Sequence, residues 1–445
     1  MRSEHEITRL KTSLEDHFAN VRNNYEIYTQ YYEQDVKIGK MPADIEIYKP
    51  PTAREDVNAA VSHIMSLGQT VTVPYWSETE EAKKQANMLE AFGNAFLQML
   101  DKRFSNLRRN CIKNGILYGV FCRKGPLYLP RIRPEGIEDK EWQRSLESTF
   151  PFHFRSVHPK NVMWIDDEFV VEEFTRKAIQ VKANWPEWEM GKKEPFDDVK
   201  WWEFWSPDQR VYFADSDLVS NEKNEYGFIP YDFGYGGFGK DSPEGKPEDM
   251  IVSMIAPLLS SYKMEYRTKT AVFAGAEYDV YDRLVASRPL EDWERLATAP
   301  GELSYVEAGV INTLKAPRVS ENAYNILAVL DQDQQKVVPQ IFHGLGTKYE
   351  SGYGQAQRLM HTSVSLLTGL IAEWEKSASN MLDRVIELVA NVVEEPVGIL
   401  GNFPREKSMK TIKPGDLNPS SQHFFVTLDA KTPEEKEHRW RLGMD

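Results

Sequence analysis

The spacing of hydrophobic positions changes several times along the chain, and each change predicts a change of element. Residues 1–34 carry charges throughout, with Tyr25, Tyr28, Tyr31 and Tyr32 between them, and read as a helix. Thr52, with Glu55 three residues on, gives a capping-box signature for a second helix with apolar positions Ala59, Val61, Ile64 and Met65. A third helix is expected over 79–115. Met88, Leu89, Phe92, Phe96, Met99 and Leu100 recur three and four apart, and Asn114-Gly115 supplies a stop.

The period then shortens. Strands are predicted over 117–123 and 127–132 around a Lys124-Gly125-Pro126 turn, and again over 152–155, 162–165, 169–176, 201–206 and 209–215. Residues 117–235 therefore form a β-rich unit with helical insertions. A glycine-rich loop follows, and Pro247-Glu248-Asp249 opens a helix running to about 273, roughly 40 Å long at ~1.5 Å per residue. Pro257 is expected to kink it. Residues 275–318 are mixed, with strand-like pieces at 277–281, 302–307 and 310–314 and a short helix near 290–298. A helix over 320–342, a Gly-rich loop over 343–354 and a very long helix over 355–393 come next, with Gly369 as the natural bend of the last. An irregular stretch, a strand over 423–428 and a short helix from Thr432 end the chain. The fold class is α+β, mainly α.

Composition narrows the picture. Hydrophobic residues are 41% and charged residues 27%, values of a folded globular chain rather than a disordered one. Two cysteines, Cys111 and Cys122, argue against a disulfide-stapled secreted fold and for a reducing, intracellular origin. The charged N-terminus has no apolar core of a signal peptide, and no apolar run reaches the ~18 residues of a membrane span. The net charge of −14 is opposite to that of a protein gripping DNA phosphates.

Catalytic signatures are missing. The nine histidines include no HxH or HExxH pair, and neither cysteine has a histidine at a metal spacing. There is no GxxxxGK[ST] loop and no GxSxG elbow. GYGGFG at 234–239 lacks the strand-to-helix setting of a phosphate loop and reads as a connector. Asp166-Asp167 and Asp197-Asp198 are adjacent acids in a chain rich in acids. The tryptophans at 185–205 read as core and interface, with sugar stacking as the alternative; Trp201 and Trp202 point to opposite faces of one strand. No cofactor and no metal are expected, and the chain is not expected to be an enzyme.

Element order carries a resemblance. N-terminal helices, a β-rich part, a long helix, a small insert, a return helix, a Gly-rich loop and a very long helix follow one another. Local stretches add to it: NGILYGVFC (114–122), SVHPKNVMWIDD (156–167) and YGFIPYDFGYG (226–236). The chain resembles the portal proteins, or head–tail connectors, of tailed bacteriophages. The resemblance implies a wing over 1–235, a first stem helix within 236–274, a clip over 275–318 and a second stem helix over 319–342. It further implies a tunnel loop over 343–354, a long wing helix over 355–395 and a C-terminal wing or crown part over 396–445.

It also implies a dodecameric ring at one capsid vertex of the virion, assembled in the host cytoplasm. Double-stranded DNA would pass through it during packaging and ejection without sequence preference. Partners would be the major capsid protein, the large terminase and neck, adaptor and tail proteins, with no membrane. The tunnel loop would bring His343, Lys348, Tyr349 and Tyr353 toward DNA. Tyr262, Tyr266, Arg267, Tyr278 and Tyr281 would lie at the stem and clip subunit interface. Twelve copies at −14 would carry about −168, so DNA would slide past a repelling wall. The alternatives are another head–neck virion protein or a carbohydrate-binding or carbohydrate-active protein.

Overall fold

The computed structural model describes residues 2–38, 47–75, 77–104, 106–240, 245–280, 283–286, 289, 311–314, 321–337, 353–393, 395–400 and 409–429. The fold is mixed α+β. In chain order the elements are α1 (Glu4–His17), α2 (Ala19–Glu33), α3 (Thr52–Ser66), β1 (Gly68–Thr72), α4 (Glu80–Arg103), α5 (Leu107–Tyr118) and β2 (Val120–Tyr128). Then come α6 (Asp139–Ser148), β3 (Phe152–Val157), β4 (Val162–Ile165), β5 (Phe169–Lys177), α7 (Ala178–Asn184), β6 (Asp198–Trp205), β7 (Gln209–Ala214), β8 (Asp217–Lys223) and β9 (Tyr231–Tyr235). The remainder is α8 (Pro247–Met250), α9 (Leu259–Val280), β10 (Arg283–Ala286), β11 (Ile311–Leu314), α10 (Glu321–Val337), α11 (Tyr353–Leu388), β12 (Val397–Leu400), β13 (Met409–Ile412) and β14 (Phe425–Asp429).

The chain divides into two compact units. One comprises 1–29, 56–256 and 341–445; the other comprises 30–55 and 257–340. Residues 30–55 thus cluster with 257–340.

The first unit holds a five-stranded antiparallel sheet in the order β4-β5-β6-β7-β8 and a three-stranded sheet in the order β3-β2-β9. β4 has the predicted bounds. The expected hairpin at 117–132 is instead one strand, β2, with a register shift between Lys124 and Leu127. Both its edges are paired, by β3 and β9, so the ladder carries the chain through Gly125-Pro126 without reversal. The single helix expected at 1–34 is interrupted at Phe18, and that at 79–115 breaks where Asn106 takes a left-handed conformation. Helix α5 continues past Asn114-Gly115 to a left-handed Gly119. A Cβ there would lie 2.2 Å from the Val252 carbonyl oxygen, so only glycine fits.

Two strands from distant parts of the chain, β1 and β14, pair antiparallel. Each has its outer edge satisfied by a helix. The Asn94 side chain accepts from Val71 N–H at 3.1 Å and donates to Val71 C=O at 3.3 Å. Along α11, Asp383, Ser379 and Glu375 accept the N–H groups of Phe424, Val426 and Leu428 at 3.0, 3.0 and 2.6 Å. Four helical residues rise ~6 Å and two strand residues ~6.6 Å, so the two series stay in step. Leu89, Phe92 and Phe96 of α4 are buried, as their spacing requires.

The second unit is built on α9 and α10. The helix expected from Pro247 is divided: α8 lasts four residues, and α9 begins only at Leu259, beyond Pro257. Proline removes a donor and clashes with the preceding turn, and here it separates helices rather than bending one. Residues 277–280, expected within a strand, are the end of α9, since nothing in Ala-Glu-Tyr-Asp stops a helix already formed. β10 pairs antiparallel with β11, and Gln334 of α10 donates to Glu265 of α9 at 3.0 Å. Helix, two-stranded ladder and return helix thus form a long hairpin. Thr52 is the first residue of α3 rather than its cap, and its hydroxyl donates to Glu265 at 3.0 Å.

Candidate functional site

The α9–α10 hairpin holds the residues on which the sequence places subunit contacts. Ala323, Leu327, Leu330 and Gln334 recur along one side of α10 and are half-buried or buried. Tyr324, Ile326 and Val329 lie on the remaining circumference and stay exposed, at 57%, 40% and 57%. These apolar residues lie outside the half-buried stripe of α10. On α9, Met264 is exposed and Phe273, edge-on to Tyr48, is half exposed.

Tyr262 and Tyr266 do not fit the expected interface. Both are fully buried in their own unit, with ring centroids 6.2 Å from that of Tyr31. They have no surface left for a second copy. Arg267 ties its own chain: Nε and Nη2 donate to Ile38 C=O at 3.3 and 3.1 Å. Tyr278 lies in the last turn of α9. Tyr281, His343, Lys348 and Tyr349 lie outside the described residues. Tyr353, expected in the loop, is the first residue of α11, as that helix begins two residues before its expected start.

Gly369, the expected bend of the long helix, lies within α11, which runs unbroken from Tyr353 to Leu388. Its Cα faces the 236–237 turn: a Cβ on Gly369 would sit 3.1 Å from Gly237 Cα. The glycine permits a backbone approach.

In the first unit, a buried charge cluster links the two sheets. Lys124 Nζ of β2 bonds Glu172 of β5 at 3.0 Å and also Glu203 of β6. Arg155 of β3 reaches Glu172 at 2.8 Å, and the Tyr231 hydroxyl donates to Glu172 at 2.7 Å. The indoles of Trp201 and Trp205 each donate to Glu203 at 3.1 Å. Burial alone would raise the Glu203 carboxyl; the adjacent Lys124 ammonium overrides it and brings the group down to about 2. Glu172 is engaged by Lys124, Arg155 and Tyr231, and Glu203 by Lys124, Trp201 and Trp205. Sequence reasoning missed them; the local signal is an acid among bulky apolar neighbours, Glu203 within Trp201-Trp202-Glu203-Phe204-Trp205 and Glu172 directly after Phe169-Val170-Val171.

Of the clustered tryptophans, Trp185 is half-buried and Trp188 is buried. Trp201, Trp202 and Trp205 are buried, and Trp202 lies flat on Phe213 with centroids 3.7 Å apart. Asp166-Asp167 and Asp197-Asp198 are exposed. Burial pushes the Cys111 thiol up to about 11 and Cys122 well above its ordinary value, so neither is a poised nucleophile. Among the described residues no three His, Cys, Asp or Glu side chains converge on a metal position. No described helix is long and apolar enough to cross a membrane.

No family model matches the chain, and no curated protein does. Among solved structures it is similar to a chain of a virion of a native gene transfer agent particle. That match has a TM-score of 0.39 and 10% identity and covers 89% of this chain and 86% of the other. A likeness of this degree carries no inference about role.

Proposed function

We propose that the chain is a structural subunit of a phage-type virion, and specifically a portal subunit that assembles into a ring around passing double-stranded DNA. The observation that carries this reading is the α9–β10–β11–α10 hairpin, with Tyr324, Ile326 and Val329 uncovered on α10. In the portal resemblance this order is stem, clip, stem. A head-to-tail ring would cover the outward side of each α10 with the next copy and close without loose ends. The net charge of −14 suits a conduit that must not hold its cargo. The reading gives the chain no catalytic role and no cofactor. It assigns motor, neck and capsid contacts to the other surfaces of the ring, and residues 343–352 to the DNA-facing loop.

Electron microscopy of the purified chain over a range of concentrations tests it. Rings of about twelve copies with an open centre are expected at high concentration. A chain that stays monomeric at every concentration would overturn the ring.

A further inference from the structure

The net charge of −14 is not spread evenly along the chain. Residues 101–114 hold five basic residues and one acid. They form the end of α4, the break at Asn106 and the first two turns of α5. Lys102, Arg103 and Arg109 are exposed, and none of them has an ion-pair partner among the described residues. Asp101, the one acid, acts on Arg108, which is buried and donates to the carbonyls of Ile64 and Leu67 at 3.0 and 3.2 Å. The first turn of α5 carries no acid.

Arg109 and Lys113, four residues apart, share one side of α5 with Asn106 and Asn110 and stand about 6 Å apart along it. Another side of α5 is tied to β3, where Asn114 donates to the Val157 carbonyl at 3.4 Å. The field of these cations reaches a histidine at each end of β3. The His153 imidazole is held below its ordinary value, first by burial and then by Arg155, Arg103 and Lys124. His158, just past the strand, is held down first by desolvation of its ring, which packs on Tyr118, and then by Lys160 and Lys113 against Glu26. Among the described residues of 101–114 and 152–160 no large apolar side chain is exposed. A protein partner is held through aromatic and apolar anchors, which this surface lacks; a polyanion needs only the charges.

We propose that Lys102, Arg103, Arg109 and Lys113 hold the phosphate backbone of duplex DNA without reading its sequence. Such side chains meet phosphates in any register, because each strand repeats a charge every ~3.4 Å. Taking duplex DNA as the polyanion rests on the portal reading. The cationic surface itself does not, and it is distinct from the 343–352 loop to which that reading assigns DNA.

The test uses the full chain and a labelled duplex of about 20 base pairs, two helical turns. Fluorescence anisotropy should show saturable binding at about 50 mM salt, with log affinity falling against log salt by ~0.9 per phosphate contact, a slope between about −3 and −4. Two duplexes of unrelated sequence should bind within about twofold of each other. Lys102→Gln, Arg103→Gln and Arg109→Gln together should weaken binding by about tenfold or more and make the slope shallower by about 3. Lys84→Gln, Lys140→Gln and Lys192→Gln, which remove the same charge elsewhere, should change affinity by less than about twofold. All six residues are exposed, so the fold should survive, as circular dichroism would check. No binding at low salt, an unchanged slope in the first triple variant, or an equal loss in the second would each overturn the proposal. Poly-glutamate competing as well as unlabelled duplex would overturn it in favour of an acidic protein partner. Rings without duplex binding would overturn this surface and leave the ring standing. Duplex binding that is lost with these cations, in a chain that never forms rings, would support the surface and sink the ring.

Discussion

Gly237 and Gly369 bring two backbones together so closely that a methyl group on Gly369 would stand 3.1 Å from Gly237 Cα. In an exposed helix interior, Gly→Ala stabilises by up to about 1 kcal/mol. Here the neighbour is backbone and cannot swing aside. Gly369→Ala should therefore fail to stabilise and should lower stability by about 1 kcal/mol, and Gly369→Val by more. Thermal unfolding of both variants checks this; a clear gain for the alanine variant would show that the approach to Gly237 does not constrain Gly369.

Lys124 holds Glu172 and Glu203 together inside the first unit. Lys124→Met should cost about 3–5 kcal/mol, because it strands carboxylates that have no water to fall back on. The pH dependence follows from the depressed Glu203 pKa. A carboxyl lowered in the folded state adds stability above its ordinary value of 4.5, and that stability drains away as pH falls toward about 2. Denaturant midpoints measured across this range should fall steeply in the native chain and more shallowly in Lys124→Met.

Strand β14 relies on side chains of α11 to accept its Val426 and Leu428 N–H groups. Ser379→Ala removes the acceptor of Val426 N–H and leaves a buried donor unpaired, at a cost of about 1–3 kcal/mol. Hydrogen exchange should quicken first at Val426, with Phe424 and Leu428 still held by Asp383 and Glu375. Uniform protection across the strand would show that β1 alone secures it.

The proposed ring makes a separate demand on α10. Val329→Asp or Tyr324→Glu changes residues exposed in the single chain, so the melting of the monomer should shift by less than about 0.5 kcal/mol. Ring formation should be lost, as read by sedimentation and negative-stain images. Intact rings in both variants would remove α10 from the interface.

Tyr262 and Tyr266 show where sequence reasoning misled. Aromatic side chains on a long helix suit an interface equally well as a core, and nothing local separates the two. Tyr31, more than two hundred residues away, fills the space beside them. Trp201 and Trp205 are buried, and Glu203 accepts from both indoles. The uncovered apolar residues of α10 were within reach of the sequence: Tyr324, Ile326 and Val329 fall off the stripe defined by Leu327, Leu330 and Gln334.

Sequence alone determined the features that depend on neighbours a few residues away. These are the apolar stripe of α4, the bounds of β4 and the order of helix, insert, helix and long helix, because hydrophobic period and turn chemistry are local. The tertiary structure alone decided what lies opposite each surface. It paired β1 with β14, set α11 side chains against a strand edge, buried Tyr262 and Tyr266 and brought Gly369 against Gly237. Each of these depends on which distant segment arrives, and the free energy of packing is settled only when both surfaces are present.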